Sequence, residues 1–217
     1  MSSVLIISPH ADDEVLGAGG TISKLKSEGN TVNVIIVADR VYPPDRSMRD
    51  KQIANCREVL GYNFTFNLKF KDEHLNAQIV KISKKIESVC AEVDPDIVYT
   101  CFSGDNNQDH RAVFDATSIS CRRHANKNIK RLYCYEVPSS TDQTPCHTRP
   151  AFIPNFFSEI TEQQLRIKQS AMKCYSQEIR EYPNPRSLRG LEIHACKRGM
   201  ECNSEYAEAF MLVYGKD

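Results

Sequence analysis

The residues best suited to chemistry are a histidine and three acids near the N-terminus, in the run PHADDE at residues 9–14. They follow a short apolar run, Val4 to Ile7, that is typical of a buried strand, and they precede a periodic segment that predicts a helix ending near Gly29. Carboxylates at such a position often cap the helix. Capping does not account for His10 or for three adjacent acids, which repel one another without a cation. Since His10 and Asp13 are both ordinary zinc ligands, a metal site is the competing interpretation.

Strand-like and helix-like patterns alternate through the chain. The predicted strands are residues 4–7, 31–37, 64–68, 97–100, 131–135 and 206–214. The predicted helices are the segment ending near residue 29 and residues 47–60, 79–93, 109–125, 161–181 and 186–197. This alternation predicts an α/β fold with a Rossmann-like doubly wound, mostly parallel sheet and helices on both faces, a three-layer α/β/α arrangement.

A second polar cluster, SGDNNQDHR at residues 103–111, follows the fourth predicted strand. In the strand order 3-2-1-4-5, strands 1 and 4 are neighbours at the switch point, where such sheets bind ligands. His110 can therefore join His10 and Asp13. Two histidines and one aspartate leave an open coordination position, as catalytic zinc sites do. A histidine buried for structural reasons is the alternative for His110 alone.

Composition narrows the class of protein. The 217 residues suffice for a substantial core in a single domain, 1–217, and 28 basic residues balance 28 acidic ones. We therefore expect no nucleic-acid partner. No apolar run has the length of a membrane span or signal peptide, and nine cysteines without a C-x-x-C pair indicate reduced thiols in a cytoplasmic protein.

The glycines at 17–20 favour close helix–sheet packing over dinucleotide binding, because the acids stand where a pyrophosphate would lie.

The run PHADDE, the glycines that follow it and the run NQDH at residues 107–110 resemble the signatures of PIG-L/LmbE-like zinc-dependent N-deacetylases. Arg198-Gly199 and the run YAEAF at 206–210 are similar to the closing pattern of that family. The resemblance implies a zinc-dependent hydrolase that removes an acetyl or other acyl group from an amino sugar or its conjugate. It also implies that residues 136–201, a loop up to residue 154 followed by helices, shape the substrate pocket.

The resemblance also implies roles for individual residues. His10, Asp13 and His110 would hold Zn²⁺ or another divalent transition metal, and Asp12 would be the general base. Asp109 would be the carboxylate that orients neighbouring groups, and Arg49 would bind substrate. Asn107 stands where the family has a histidine, and it can donate a hydrogen bond but no proton. It would bind substrate and help to stabilise the oxyanion.

Three alternatives stay open at this point. The proton for the leaving amine could come from Asp12 itself, from His147 or from His194. The protein could bind an acylated sugar without hydrolysing it, or it could be an amidase for a non-sugar N-acyl substrate. In each case the expected partner is a small molecule. Whether the protein assembles into a homo-oligomer is left open.

Overall fold

A seven-stranded sheet forms the centre of the computed structural model, which describes residues 1–39, 46–145 and 147–217. The strands are β1 (Ser3–Ser8), β2 (Thr31–Asp39), β3 (Phe64–Lys71), β4 (Ile97–Cys101), β5 (Arg131–Tyr135), β6 (Phe156–Glu159) and β7 (Ala207–Gly215). Their order is β3-β2-β1-β4-β5-β7-β6. The first five strands run parallel, whereas β7 pairs antiparallel with both β5 and β6. The predicted mostly parallel, doubly wound sheet is confirmed.

Strand β1 lies between β2 and β4, as the predicted strand order requires. In register, Ile6 pairs with Val34 on one side and with Tyr99 on the other. Strands β1 and β2 are buried over nearly their whole length, which explains their almost continuous apolar sequence. The turns after β1 and β4 therefore open at the same edge of the sheet, on either side of one crevice.

Six helices connect the strands within the described residues. They are α1 (Asp13–Ser27), α2 (Arg46–Leu60), α3 (Ile79–Val93), α4 (Gln108–Ser120), α5 (Glu162–Cys174) and α6 (Leu188–Glu201). Helices α1, α2 and α5 pack against one another, and α3 packs against α4. Short 3-10 segments occur at Leu75–Gln78, Thr141–Gln143 and Ser176–Glu178.

The glycines of α1 serve packing, as predicted. A Cβ atom on Gly17 would lie 2.1 Å from the ring of Tyr135, and one on Gly20 would lie 2.6 Å from Ile160. The Tyr135 hydroxyl in turn donates to the carbonyl of Ile7 at 2.8 Å. Because Gly17 has no side chain, helix α1 can lie close to Tyr135 of β5. The Tyr135 hydroxyl in turn connects this packing to the end of β1.

The structure corrects several predicted boundaries. The helix expected over 161–181 ends at Cys174, because Tyr175 leaves the helix and buries its ring in the core. The helix expected over 109–125 ends at Ser120. Strand β6 was not predicted, and the first residues of the loop expected at the surface, 136–138, are buried.

Eight cysteines carry free thiols, and five of these are buried. The ninth, Cys146, lies outside the described residues. Within the described ranges, no helix combines the length and apolarity that crossing a bilayer demands.

Candidate metal centre

The turn between β1 and α1 has an unusual backbone. Asp12 has φ 129° and ψ −26°, in a region that side chains other than glycine rarely adopt, and it is 3% exposed. Its side chain makes no capping hydrogen bond to α1. Helix capping therefore does not explain Asp12, and the strained backbone aims its carboxylate elsewhere.

Glu14 stabilises this turn from below. Its Oε2 accepts the backbone N–H of Asp12 at 3.0 Å, and its Oε1 accepts the Tyr175 hydroxyl at 2.8 Å. Ser8 adds a further tie, since its Oγ accepts the backbone N–H of Glu14 at 3.0 Å. Burial raises the pKa of Glu14 despite these bonds. The third acid of the run thus holds the turn in place.

Asp13 lies between two imidazoles. Its Oδ2 is 3.1 Å from Nδ1 of His10 and 3.2 Å from Nε2 of His110. One ligand atom from each of the three residues falls within 4.8 Å of the others. Asp13 Oδ1 is buried and has no hydrogen-bond partner among the described residues. The structure thus brings together the three predicted metal ligands, and the orphaned buried oxygen of Asp13 suits a metal cation as its partner.

A carboxylate faces the far nitrogen of each imidazole. Asp72 Oδ1 lies 3.0 Å from Nε2 of His10, and Asp105 Oδ1 lies 3.3 Å from Nδ1 of His110. Such partners fix the tautomer of a metal-binding histidine and raise its basicity. The sequence analysis did not single out either aspartate. The position of Asp105 in the polar run 103–111 was a usable signal, whereas Asp72 lies in the run KDEH at residues 71–74, which matches no motif.

Asp105 is itself held tightly. The hydroxyls of Ser140 and Thr141 donate to its carboxylate, the latter at 2.5 Å, and the Asn107 backbone N–H donates at 2.8 Å. Burial would raise the pKa of Asp105, but His110 and the hydroxyls of Ser140 and Thr141 lower it. The loop after β5 therefore reaches into the site through Asp105.

The protonation of the cluster follows from its charges. Burial alone would lower the pKa of His110, but Asp13 and Asp105 outweigh it and raise that pKa to about 9. The pKa of His10 is raised for the same reason, by Asp109, Asp13 and Asp72 acting against burial. Burial would raise the pKa of Asp13, yet the two imidazoles hold it well below its usual range. A metal that binds here displaces protons from both histidines.

Asp109 and Asn107 stand at the start of α4. Asp109 accepts the backbone N–H groups of Glu73 at 2.7 Å and Leu75 at 3.2 Å, and its Oδ2 is 3.6 Å from Nε2 of His10. It thus ties the loop after β3 to the cluster. Asn107 is the N-cap of α4, since its Oδ1 accepts the Asp109 N–H at 2.8 Å.

A cavity of about 130 Å³ opens beside the cluster. Its lining residues are His10, Asp12, Asp72, Glu73, Asn107, Gln108, Asp109 and Arg186. Burial and the neighbouring Asp13 carboxylate raise the pKa of Asp12 to about 7, against the effect of Arg186. A carboxyl group with such a pKa can both accept and return a proton near neutral pH.

Five candidate residues named from the sequence are not among these lining residues: the buried Asp13 and His110, and Arg49, His147 and His194. Arg49 binds Glu178 at 3.1 Å through Nη2 and lies over the ring of Tyr175. His147 is exposed, and His194 lies 3.5 Å from Glu136. Arg186, which the sequence analysis did not select, is the guanidinium that lines the cavity.

The family described as PIG-L, GlcNAc-PI de-N-acetylase, matches residues 5–120. That range covers more than half of the 217 residues and contains both motif runs. The chain belongs to the PIG-L family. The family and the hydrolase class predicted from the motifs are confirmed, and the cluster of His10, Asp13 and His110 suits a divalent metal in this PIG-L protein.

Relatives of this PIG-L chain include the uncharacterized deacetylase YaiS of Escherichia coli (strain K12), 27% identical over 176 residues, 78% of this chain and 88% of that protein. The diacetylchitobiose deacetylase of Thermococcus kodakarensis is 25% identical and covers 99% of this chain and 84% of its own length. The crystal structure of the conserved protein TT1542 from Thermus thermophilus matches with a TM-score of 0.81 at 23% identity, covering 100% of this chain and 97% of that one. The last likeness concerns the fold.

Proposed function

We propose that the protein is a zinc-dependent N-deacetylase that removes the acetyl group from an amino sugar or an amino-sugar conjugate. The observation that carries the proposal is the convergence of the His10, Asp13 and His110 ligand atoms next to a cavity that His10 and Asp12 line. Zinc suits a set of two imidazoles and one carboxylate. An amino-sugar substrate is supported by the relative named diacetylchitobiose deacetylase.

The chemistry is hydrolysis of an amide. A bound zinc ion supplies Lewis acidity and lowers the pKa of water at an open coordination position to about 7. Asp12 accepts a proton from the water whose oxygen adds to the acetyl carbon. It returns that proton to the amine nitrogen as the C–N bond breaks, so that acetic acid and the free amine leave. The acetic acid then loses its proton to the amine or to water.

Asn107 contributes as a donor rather than as an acid. Its Oδ1 is taken by the cap of α4, so the amide N–H groups are the part that can face the developing oxyanion. Residues 136–201 shape the pocket of a single domain, 1–217, in this proposal. Arg186 from that segment lines the cavity, and Ser140 and Thr141 from the same segment hold Asp105.

The test is amine release from a panel of N-acetylhexosamines and N-acetylated sugar nucleotides, with zinc and with chelator. We expect zinc-dependent release from at least one compound. Asp12→Asn should lower kcat by orders of magnitude and leave zinc bound. Loss of zinc from that variant would show that the ligand and base are assigned the wrong way round.

A second candidate is a module that binds an acylated sugar without hydrolysing it. The observation that favours it is Asn107, which cannot supply a proton where the family has a histidine. Retained zinc and sugar binding with no turnover of any compound would support this candidate over the deacetylase.

A further inference from the structure

Arg186 is a cavity residue to which neither the motifs nor the family match assigns a function. It stands before α6, outside the matched residues 5–120. Its side chain is 21% exposed and lines the cavity together with Asp12. The cavity lining otherwise carries four carboxylates, those of Asp12, Asp72, Glu73 and Asp109. The position of one guanidinium among these four carboxylates therefore needs a physical explanation.

The backbone places Arg186 rigidly. Its N–H donates to Asn184 Oδ1 at 2.9 Å, and the next residue, Ser187, caps α6 by accepting the Gly190 N–H at 2.8 Å. A Cβ atom on Gly190 would lie 2.6 Å from the carbonyl oxygen of Pro185. The turn therefore sits directly on the first turn of α6, and Arg186 leaves it from a defined position.

The side chain then meets three separate segments. Its Nε donates to Ser139 Oγ at 2.7 Å in the loop after β5. Its Nη1 lies 3.3 Å from Glu178 Oε2 and 3.4 Å from Asp12 Oδ2. A guanidinium is a rigid fork of donors, so contacts at Nε and Nη1 fix the orientation of the whole group. The group is held in place before any substrate arrives.

Glu178 does not by itself explain Arg186. Arg49 already binds the other oxygen of that carboxylate, Oε1, at 3.1 Å. By contrast, Arg186 is the cation that pairs with Asp12 among the residues that the structure describes. A series of ion pairs thus runs from Arg49 through Glu178 to Arg186 and ends at the Asp12 carboxylate.

We propose that Arg186 is the positioning residue of Asp12, an inference that rests on the proposed deacetylase function. It holds the Asp12 carboxylate in the orientation in which that group exchanges a proton with water and with the leaving amine. The guanidinium does not give up a proton itself, so it is not the acid of the reaction.

The first experiment measures kcat and KM of the zinc-loaded full chain on an N-acetyl sugar that the wild type hydrolyses. Arg186→Gln should lower kcat about 10- to 100-fold, part of what general acid–base catalysis contributes, with KM within about threefold. Arg186→Lys keeps the positive charge but lacks the planar fork of donors, so its kcat should lie between those of the wild type and Arg186→Gln. Arg189→Gln is the matched control, because Arg189 stands three residues away and stacks on Tyr182 outside the cavity.

The second experiment separates positioning from mere folding. Arg186→Ala removes the side chain and leaves space for free guanidinium ion, which should restore part of the lost kcat. The same ion should not raise kcat of Asp12→Asn. Zinc content and melting temperature are recorded for every variant, so that a folding defect is visible as such.

The outcomes distinguish the two proposals. If the wild type hydrolyses no N-acetyl sugar, the deacetylase function fails and this inference fails with it. If the wild type is active and Arg186→Gln keeps kcat, Arg186 does not position Asp12. A rise in KM at constant kcat would instead make Arg186 a substrate-binding residue, and absence of rescue by guanidinium would also overturn the inference.

Discussion

Two clusters of buried charge touch helix α1 and differ in how well their charges are matched. Near the middle of the helix, Glu208 accepts the N–H groups of Gly20 at 3.0 Å and Thr21 at 2.7 Å, and Lys168 binds it at 2.6 Å. The Lys168 ammonium also donates to the Leu16 carbonyl at 2.9 Å. Acid and base are matched here, and backbone groups take the remaining bonds.

At the N-terminus of the same helix the charges are not matched. Asp13 has an oxygen without a partner among the described residues, Asp12 meets Arg186 only at 3.4 Å, and further carboxylates surround them. Gathering like charges out of water costs free energy. The balanced cluster, Glu208 with Lys168, therefore stabilises the fold. The unbalanced cluster around Asp12 and Asp13 is suited to binding a divalent cation.

The largest effect should come from removing the carboxylate at the centre of the unbalanced cluster. Asp13→Asn takes away the negative charge that lies between His10 and His110, so we expect loss of bound zinc and of deacetylation down to the background rate. Metal analysis and amine release are the measurements. Asp115→Asn, an exposed change on the helix that carries His110, is the control. Zinc retained at full occupancy in Asp13→Asn would contradict the assignment.

The balanced cluster should respond in stability instead of activity. Lys168→Met leaves Glu208 as a buried, unpaired charge, which should cost about 3–5 kcal/mol of unfolding free energy and lower Tm by about 10 °C. Thermal and urea unfolding measure this loss. Zinc content should stay at the wild-type level.

A double variant sharpens the same comparison. Lys168→Met with Glu208→Gln removes both charges, so it should recover much of the stability that Lys168→Met alone loses. If the single and double variants are equally unstable, packing of the lysine stem rather than charge balance explains the first loss.

The elements that sequence predicted well are those with local causes. Strands β1 and β2 are continuous apolar runs, and helix α5 begins close to the predicted residue 161, where Thr161 and Gln164 form a capping box. Strand β6 has four residues, and its pairing of Phe156 with Phe210 comes from a strand far along the chain. The local sequence does not indicate this pairing with β7, so β6 was not predicted.

The candidate site divides in the same way. His10, Asp12 and Asp13 are adjacent in a motif, and the strand order brings His110 to them. Asp72 and Arg186 lie in loops and belong to no motif, and packing of distant segments determines where their side chains point. The run of hydroxyls at residues 139–141 was readable as a loop but not as the support of Asp105 and Arg186.

A pH titration tests a third cluster, the balanced contact of Glu136 with Arg198 and His194. Burial opposes ionisation, yet these two partners lower the pKa of Glu136 from 4.5 to about 2. A depressed carboxyl pKa contributes stability above the unfolded-state value and loses it as pH falls through the folded-state value. We therefore expect this group to account for roughly 2–3 kcal/mol of lost stability between about pH 4.5 and pH 2.

Glu136→Gln isolates that contribution. The difference in unfolding free energy between wild type and variant should shrink as pH falls across the window, because protonated Glu136 and glutamine are both neutral. Chemical unfolding at a series of pH values measures it. A difference that stays constant with pH would show that Glu136 titrates equally in the folded and unfolded chain.

The smallest effect concerns Asn107, which serves the helix and the cavity together. Asn107→Ala removes the cap on the Asp109 N–H and should cost about 1 kcal/mol, whereas Asn107→Asp keeps a capping oxygen and should stay within about 0.5 kcal/mol of wild type. Both variants lose the amide N–H groups, so both should lower kcat if those groups meet the oxyanion. Urea unfolding and steady-state kinetics separate the two contributions. Full activity in Asn107→Asp would mean that Asn107 belongs to the helix alone, and that the unbalanced cluster performs hydrolysis without a donor at this position.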